Sequence, residues 1–407
     1  MLKALGDPYV VAKFQQTFGL RRVDENDDLS KMRDQNDSSS LGNGHVSDGY
    51  STHNNHLLTN GSNHAHQRNG FVKPEPLEKS KSAGKEKKIG QQYECNRFFH
   101  ALFVFGSTLG YESFYLTFFP FLIWNIDEYL ARRTVILWAV IMYLGQSAKD
   151  VIQWPRPPSP PVISVEKRFQ VEYGMPSTHA MVGTIIPFCL VYFSYDRYQY
   201  PLYIGVIFGI CWCVLVSTSR LYMGMHTLQD LLVGIAFAVV LLVTVIPLLD
   251  VSIDKWVFSS PNTPIFLIVV PMIMILMYPS PPKYTQTKAD TATIIFGACG
   301  ALLGTWGRFY FQGVPDPYQG APYPIRIPGY EEMFWMIGKF LFGVGVIIPT
   351  RAVMKSTVHA VVPWLLAETD PKKMKSVSEI PHRFLTYITV GFTAVFFVPH
   401  IFAYVGV

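Results

Sequence analysis

The sequence has 407 residues, of which 49% are hydrophobic, 14% are aromatic and only 15% are charged. Because soluble domains carry about 25% charged residues, this composition excludes an ordinary soluble protein and indicates a membrane protein with a polar segment. The net charge of +5 is spread over loops and segment ends, which is typical of membrane topology and argues against nucleic-acid binding.

Residues 1–90 differ in composition from the rest of the chain. They are rich in Asn, Ser, His, Gly and charged residues and poor in branched apolar ones, so they cannot bury enough surface to offset the entropy of ordering. We therefore expect a disordered polar tail over 1–90. Its histidines could bind a metal, but a solvated tail is the simpler interpretation, because disordered histidines lack the fixed geometry of a metal site. Two glycosylation sequons begin in the tail, at Asn36 and Asn60.

Apolar runs from residue 98 onward approach the roughly 20 residues that a helix needs to cross a bilayer. The predicted segments are 98–124, 131–149, 180–196, 200–219, 228–249, 264–279, 291–310, 333–350, 352–368 and 384–406. They predict an all-α, polytopic membrane helix bundle of 8–10 spans. The predicted domains are the tail, a catalytic membrane core over 91–250, and additional transmembrane helices over 251–407.

Polar residues inside a membrane domain are costly, so their clusters mark candidate functional sites. Three such groups occur, with the sequences KDVIQWPRP (149–157), GMPSTHAM (174–181) and SRLYMGMHTLQD (219–230). Two apolar segments joined by a short loop separate the second group from the third, so all three fall on one face of the membrane. Each group alone has a plainer interpretation, as a basic helix end, a helix N-cap or a helix start.

Taken together, the three groups place three cations at one surface: Lys149, Arg156 and Arg220. Such a cluster is costly unless an anion completes it. A phosphate fits, because its oxygens can be bound by the cations and by the hydroxyl and backbone N–H groups around Ser177, with the helix N-terminus adding partial positive charge. Asp230 lies four residues after His226, and a helix that starts near His226 would bring its carboxylate beside the imidazole.

These residues carry a resemblance to a known family. The patterns Lys149-x6-Arg156-Pro157, Pro176-Ser177-x-His179 and Ser219-Arg220-x5-His226-x3-Asp230 resemble, in order, the three signature motifs of the type 2 phosphatidate phosphatase superfamily. Thr178 stands where the middle motif usually has Gly. That variant, together with the extra apolar segments after Asp230, is similar to the sphingosine-1-phosphate phosphatase branch.

The resemblance implies a metal-independent hydrolase, without cofactor, that acts on sphingosine 1-phosphate and its dihydro form. It implies that His226 is the nucleophile and forms a phosphohistidine, that Asp230 orients it, and that His179 protonates the leaving alkoxide and then activates water. The phosphate-binding residues would be Lys149, Arg156, Ser177, Thr178 and Arg220. Thr178 in place of Gly either narrows the approach to phosphate or supplies a hydroxyl donor.

Several alternatives remain open from the residues alone. The phosphate could belong to another lipid, a polyprenyl pyrophosphate or a sugar, because the cluster recognises phosphate and not the group attached to it. A lipid transporter or interaction protein built on a phosphatase core is the non-catalytic alternative, which the presence of both histidines and the aspartate disfavours. Glu166 or Glu172 could meet the amine of a sphingoid base, although solvated loop charges are the simpler explanation of each. The predicted partners are the lipid substrate and the membrane.

The basic residues at segment ends predict which side of the membrane the phosphate cluster faces. If all ten segments cross, the basic residues Arg132, Arg133, Arg197, Lys372, Lys373, Lys375 and Arg383 lie opposite the phosphate cluster. The positive-inside rule then puts the cluster in the lumen. The resemblance also implies an endoplasmic reticulum membrane and a lumenal site. The same rule disfavours a lumenal tail, so the side of the N-terminus stays open.

Other charged and thiol side chains are left out of the predicted site. Glu112, Arg308, Lys339 and Arg351 could line a path for lipid entry. Pairing between packed helices, or snorkelling toward the membrane surface, explains these residues equally well. The five cysteines lack metal-ligand spacing and are interpreted as packing residues.

Overall fold

The computed structural model describes residues 5–22, 93–166, 171–248, 260–279, 281, 285–313, 321–366 and 371–406. The chain divides into two compact units, Met1–Arg21 with Glu94–Val407, and Arg22–Tyr93. Of the second unit only Arg22 and Tyr93 are described. Most of the predicted tail, with its histidines and both sequons, therefore lies outside the described residues.

Helices make up most of the described chain. They are α1 (Pro8–Thr17), α2 (Arg97–Thr108), α3 (Glu112–Asn125), α4 (Glu128–Ile152), α5 (Thr178–Tyr195), α6 (Leu202–Tyr222), α7 (Leu228–Leu248), α8 (Thr263–Leu276), α9 (Thr287–Gln312), α10 (Tyr330–Leu366), α11 (Pro371–Phe392) and α12 (Val398–Val405). A π-helical stretch, Thr393–Phe397, joins α11 to α12. The strands are β1 (Arg21–Arg22), β2 (Tyr93–Glu94), β3 (Tyr198–Gln199) and β4 (Tyr323–Pro324), and β3 pairs with β4 in parallel.

Seven helical segments of the described chain are long and apolar enough to cross a membrane. They are α4, α5, α6, α7, α9, most of α10 and the stretch Ser378–Val405. The apolar helix α8 has 14 residues and is about 21 Å long, which is short of the roughly 30 Å hydrocarbon thickness. The protein is thus a multi-pass, all-α membrane protein, as its composition predicts.

Two predicted spans differ from the helices that form. The run 98–124 is split into α2 and α3 at Gly110, where a Cβ would come within 2.2 Å of His179 Cδ2, so the chain turns there under close packing. The runs 333–350 and 352–368 form the single 37-residue helix α10. Arg351 does not interrupt α10, because it reaches across to the hydroxyl of Tyr387 on α11 (Nη2–Oη 3.4 Å).

Residues 5–22 also differ from the predicted tail, since α1 forms there. Asp7 caps α1 by accepting a hydrogen bond from the Tyr9 N–H at 2.9 Å, and the buried side chains of Val11 and Gln15 lie on one face. A ten-residue amphipathic helix contributes little to the average composition of 90 residues, so composition alone does not reveal it.

The antiparallel course of α4 to α7 brings distant residues together. The end of α4, the start of α5, the end of α6 and the start of α7 all lie at one end of the bundle. Buried aliphatic side chains of α4 and α5, including Leu137, Ile141, Ile185 and Ile186, pack the helices against one another. Close packing in a membrane supplies most of the stabilisation between helices, and it holds the four helix ends in register.

Candidate active site

The four helix ends surround a cavity of about 490 Å³. Six of the eight predicted site residues line it, namely Lys149, Arg156, Thr178, His179, Arg220 and His226. Ser177 and Asp230 are fully buried behind this lining. Residues separated by almost 80 positions in the chain are thus collected at one place.

Lys149 lies in the last turn of α4 and is 2% exposed. Its ammonium donates to Thr178 Oγ1 at 3.2 Å and to Glu172 Oε2 at 3.4 Å. Thr178 is the first residue of α5, so its hydroxyl stands at the helix N-terminus that faces the cavity. In this structure the threonine hydroxyl accepts a hydrogen bond from the lysine and is part of the polar lining.

Arg156 follows α4 in the proline-bounded turn that the sequence predicts. Its Nη1 donates to the Met225 carbonyl at 2.8 Å, and its Nε donates to the Glu172 carbonyl at 3.0 Å. Its Nη2 lies 3.7 Å from the Glu172 carboxylate. Burial lowers the pKa of this guanidinium to about 10, against the attraction of Glu172, so Arg156 remains a cation at neutral pH.

Arg220 closes α6 and is 1% exposed. Its Nη1 lies 3.1 Å from Glu166 Oε2 and also contacts the Ser107 hydroxyl. Its Nε has no hydrogen-bond partner among the described residues. A buried guanidinium N–H without a partner is costly, and an anion in the cavity is the kind of ligand that satisfies it.

His226 lies in the connection between α6 and α7, two residues before α7 begins. Its Nε2 is 3.4 Å from Arg156 Nη1, and its Nδ1 is 3.8 Å from Asp230 Oδ2. Burial lowers the pKa of His226 well below its usual value, and the positive charges of Arg156 and Arg220 lower it further. The imidazole is therefore neutral at neutral pH.

Asp230 stands in the first turn of α7. Its Oδ2 accepts a hydrogen bond from the Thr227 N–H at 2.8 Å, which bends the chain so that His226 faces the carboxylate. The predicted proximity of this pair is found. It arises from the turn before α7, because the helix itself begins after His226, and the 3.8 Å separation is longer than a hydrogen bond.

The side chain of Ser177 acts as the N-cap of α5, accepting from the Ala180 N–H at 3.4 Å. Its own N–H donates to the Asp230 carbonyl at 3.1 Å. The hydroxyl therefore caps α5 and the backbone N–H joins α5 to α7, and direct phosphate binding by Ser177 stays a prediction. His179 is the second residue of α5, and its Nε2 has no hydrogen-bond partner among the described residues.

The cavity has a second wall that the motifs do not contain. It is formed by side chains of α9, α10 and α11, with Asp290, Thr293, Arg351, Arg383 and Tyr387 among them. Glu112 and Arg351, which the sequence analysis left out of the site, line the cavity, whereas Arg308 pairs elsewhere with Glu128.

The predicted position of Arg383, on the face opposite the site, is wrong. Its Nη1 donates to Thr293 Oγ1 at 2.6 Å inside the cavity wall. α9 begins beside the site, since Asp290 and Thr293 line the cavity. α9 and the single helix α10 then cross once each, so α11 begins on the side of the site. The side chains of Lys372, Lys373 and Lys375 lie outside the described residues.

None of the described residues that line this cavity is a cysteine. All five cysteines are free; Cys189 is buried, as a packing residue would be, whereas Cys211 is exposed. No group of three or more His, Cys, Asp or Glu side chains that could hold a metal ion occurs in the part of the chain that the structure describes.

Comparison with known proteins places the chain in a family. The PAP2 superfamily matches residues 129–253, which include all eight predicted site residues. Human sphingosine-1-phosphate phosphatase 2 is 36% identical over 100% of this chain and 99% of its own length. The chain belongs to the sphingosine-1-phosphate phosphatase family of the PAP2 superfamily.

Other members of the sphingosine-1-phosphate phosphatase family extend the comparison. The mouse sphingosine-1-phosphate phosphatase 2 is 41% identical over 76% of this chain and 89% of its own length. A dihydrosphingosine 1-phosphate phosphatase of Schizosaccharomyces pombe is 25% identical over 67% of this chain and 66% of its own. No solved structure matches the chain.

Proposed function

We propose that this protein hydrolyses sphingosine 1-phosphate and dihydrosphingosine 1-phosphate to the sphingoid base and inorganic phosphate. The observation that carries the proposal is the cavity in which three cations, two of them almost fully buried, meet two histidines at the ends of membrane-spanning helices. The substrates are those named for the relatives that match most of the chain. A lipid whose chain stays in the bilayer can present its phosphate at this depth.

In the proposed mechanism His226 carries out the first chemical step. Its Nδ1 faces Asp230, so the neutral Nε2 is the nitrogen that attacks phosphorus, while the carboxylate stabilises the positive charge that the ring acquires. The bond between phosphorus and the oxygen on C1 of the sphingoid base breaks, and His179 donates a proton to the departing alkoxide. The product of this step is phosphohistidine plus the free sphingoid base.

In the second step His179 acts as a base, the reverse of its role in the first step. His179 takes a proton from water, the water oxygen attacks phosphorus, and the P–N bond to His226 breaks to release inorganic phosphate. Lys149, Arg156 and Arg220 bind the equatorial oxygens through both steps and stabilise their charge in a site that excludes bulk water. These fixed cations do the electrostatic work that a metal ion does in other phosphatases.

Glu166 pairs with Arg220, and Glu172 lies beside both Lys149 and Arg156. Phosphate competes with these carboxylates for the cations. A displaced carboxylate then lies near the head group, where the ammonium of a sphingoid base is its natural partner. This exchange favours a substrate with a positively charged group near its phosphate over a substrate that lacks one.

The proposed setting is the endoplasmic reticulum membrane with the site facing the lumen, as the family resemblance implies. The proposed catalytic core is 91–250, and the proposed role of 251–407 is to complete the cavity with α9, α10 and α11.

The test is phosphate release by the purified full-length protein in detergent and EDTA. Sphingosine 1-phosphate, phosphatidate and glucose 6-phosphate are compared side by side, with His226→Ala as the blank. We expect selective release from the sphingoid substrate in the presence of EDTA. Release from phosphatidate or the sugar instead contradicts the proposed substrate, loss of activity in EDTA contradicts the metal-free mechanism, and no release from any substrate contradicts the enzyme assignment.

A further inference from the structure

The N-terminal helix α1 packs against the end of the bundle that holds the candidate active site. Val11 is fully buried and belongs to an apolar cluster with Val162, Leu221 and Leu231. Two of these neighbours lie in α6 and α7, the helices that flank His226. A segment that composition assigns to a polar tail is therefore part of the folded core.

Aromatic side chains at the C-terminal end of α1 pack against α2. The ring of Phe18 lies 5.1 Å from those of Phe99 and Phe103, and Phe14 lies 6.0 Å from Phe103. Phe103 in turn stacks on Tyr222 at 4.7 Å. The aromatic contacts continue from α1 to the last residue of α6, directly before the turn that carries His226.

Gln15 lies between these two apolar contacts and is 1% exposed. Its amide Nε2 donates to the carbonyls of Ile163 at 2.7 Å and Tyr222 at 2.9 Å. Its Oε1 accepts from the Ile163 N–H at 2.9 Å. One buried amide therefore satisfies three backbone groups on two chain segments that are about 60 residues apart, and each is costly to leave unpaired.

Both of these segments lead directly into the site. Three residues after Ile163 comes Glu166, which pairs with Arg220, and four residues after Tyr222 comes His226. The segments also contact each other, because the Val165 N–H donates to the Met223 carbonyl at 3.2 Å. Gly224 has φ +69°, and a Cβ there would lie 2.3 Å from the Ile163 oxygen, so only glycine permits this approach.

We propose that Gln15 is a positioning residue for the reaction: α1 holds the segment that carries Glu166 against the turn that carries His226. The inference rests on the proposed phosphatase activity. Catalysis depends on the placement of the attacking nitrogen, and a displacement of about 1 Å costs on the order of 100-fold in rate. Loosening this contact lowers the rate of attack on phosphorus more than it weakens substrate binding.

The test compares Gln15→Glu with Gln16→Glu in the full-length protein. The two variants add the same charge to neighbouring positions, but Gln16 is exposed, whereas a carboxylate at position 15 cannot donate to the two carbonyls. For Gln15→Glu we expect a kcat about tenfold lower per folded molecule, with KM changed by less than about threefold. Gln16→Glu should match the wild type.

Two measurements separate positioning from folding. The folded fraction is taken from size-exclusion chromatography, and the rate of phosphoenzyme formation is taken from a single turnover. A slower single turnover in the folded fraction supports the proposal, whereas equal rates for both variants beside an active wild type overturn it. If Gln15→Glu does not fold, Val11→Ala decides the question against Val10→Ala, whose native side chain is 42% exposed.

Val11→Ala keeps the Gln15 amide and removes only two methyl groups from the packed face. Slower turnover of folded Val11→Ala than of Val10→Ala supports the proposal, and equal turnover overturns it. An inactive wild type contradicts the proposed function itself and removes this inference with it, so the two failures are told apart by the wild-type control.

Discussion

The ammonium of Lys149 lies 3.2 Å from the hydroxyl oxygen of Thr178. The pair joins the last turn of α4 to the first residue of α5, and both side chains line the cavity. Thr178 replaces the Gly that is usual in the superfamily motif. In this chain the hydroxyl therefore orients a cation that we propose binds phosphate.

Replacing Thr178 tests whether the hydroxyl contributes to catalysis. Hydrogen bonds to charged groups contribute about 1.5–3 kcal/mol, so Thr178→Val should lower kcat/KM about tenfold or more, while Thr178→Ser should stay near the wild type. Thr178→Gly removes the hydroxyl without adding bulk. Equal losses in the Val and Gly variants assign the effect to the hydrogen bond, and wild-type kinetics in both show that Lys149 needs no such partner.

Replacing each of the two histidines is predicted to impair the reaction in a different way. His226→Ala should release no phosphate and form no acid-labile phosphoenzyme, because the attacking nitrogen is absent. His179→Ala should slow both formation and breakdown of the phosphoenzyme by about 100-fold or more, since one imidazole serves both steps. Rapid-quench experiments with labelled substrate measure the two rates. A phosphoenzyme in His226→Ala would assign the nucleophile to another residue.

The pH dependence should report the low pKa of His226. Activity is lost as pH falls through this pKa, because the protonated imidazole cannot attack phosphorus. Burial and the nearby cations keep the pKa below the ordinary value of 6.5, so the acid limb that His226 contributes to kcat/KM, which reports the free enzyme, should lie below pH 6.5.

Arg156→Gln provides the comparison for this pH profile. It removes the positive charge that lowers the His226 pKa most after burial, so the acid limb should move to higher pH even though turnover is slower. The titration of the free substrate phosphate contributes equally to both kcat/KM profiles and cancels between them. An acid limb at the same pH in both enzymes would mean that another group controls it.

A stability prediction concerns the opposite end of the bundle, where Asp127 caps α4. The carboxylate accepts from the Tyr198 hydroxyl at 2.8 Å and pairs with the buried Arg197. Asp127→Ala leaves that guanidinium unpaired, which costs on the order of 3–5 kcal/mol. We expect a lower melting temperature in detergent but unchanged turnover per folded molecule. Asp196→Ala, at an exposed neighbouring position, should change neither quantity, and equal melting curves for the two variants would contradict the prediction.

Much of the candidate site was predictable from the sequence, because each motif is local. Lys149 and Arg156 are seven residues apart, and His226 and Asp230 are four apart, so one turn or helix end positions each pair. Alternation of apolar segments then predicts that the motifs share a face. Six of the predicted residues do line one cavity, whereas Ser177 caps α5 behind it.

The membrane character, the helical fold and the clustering of the cations and histidines were thus determined by the sequence itself, since hydropathy and short spacings act over one or two helices. Only the tertiary structure decided that α10 is one helix, that Arg383 returns to the site, and that Gln15 contacts a backbone 148 residues away. Those features depend on which helix faces pack together, and contacts between such distant residues leave no periodic signal in the sequence of either partner.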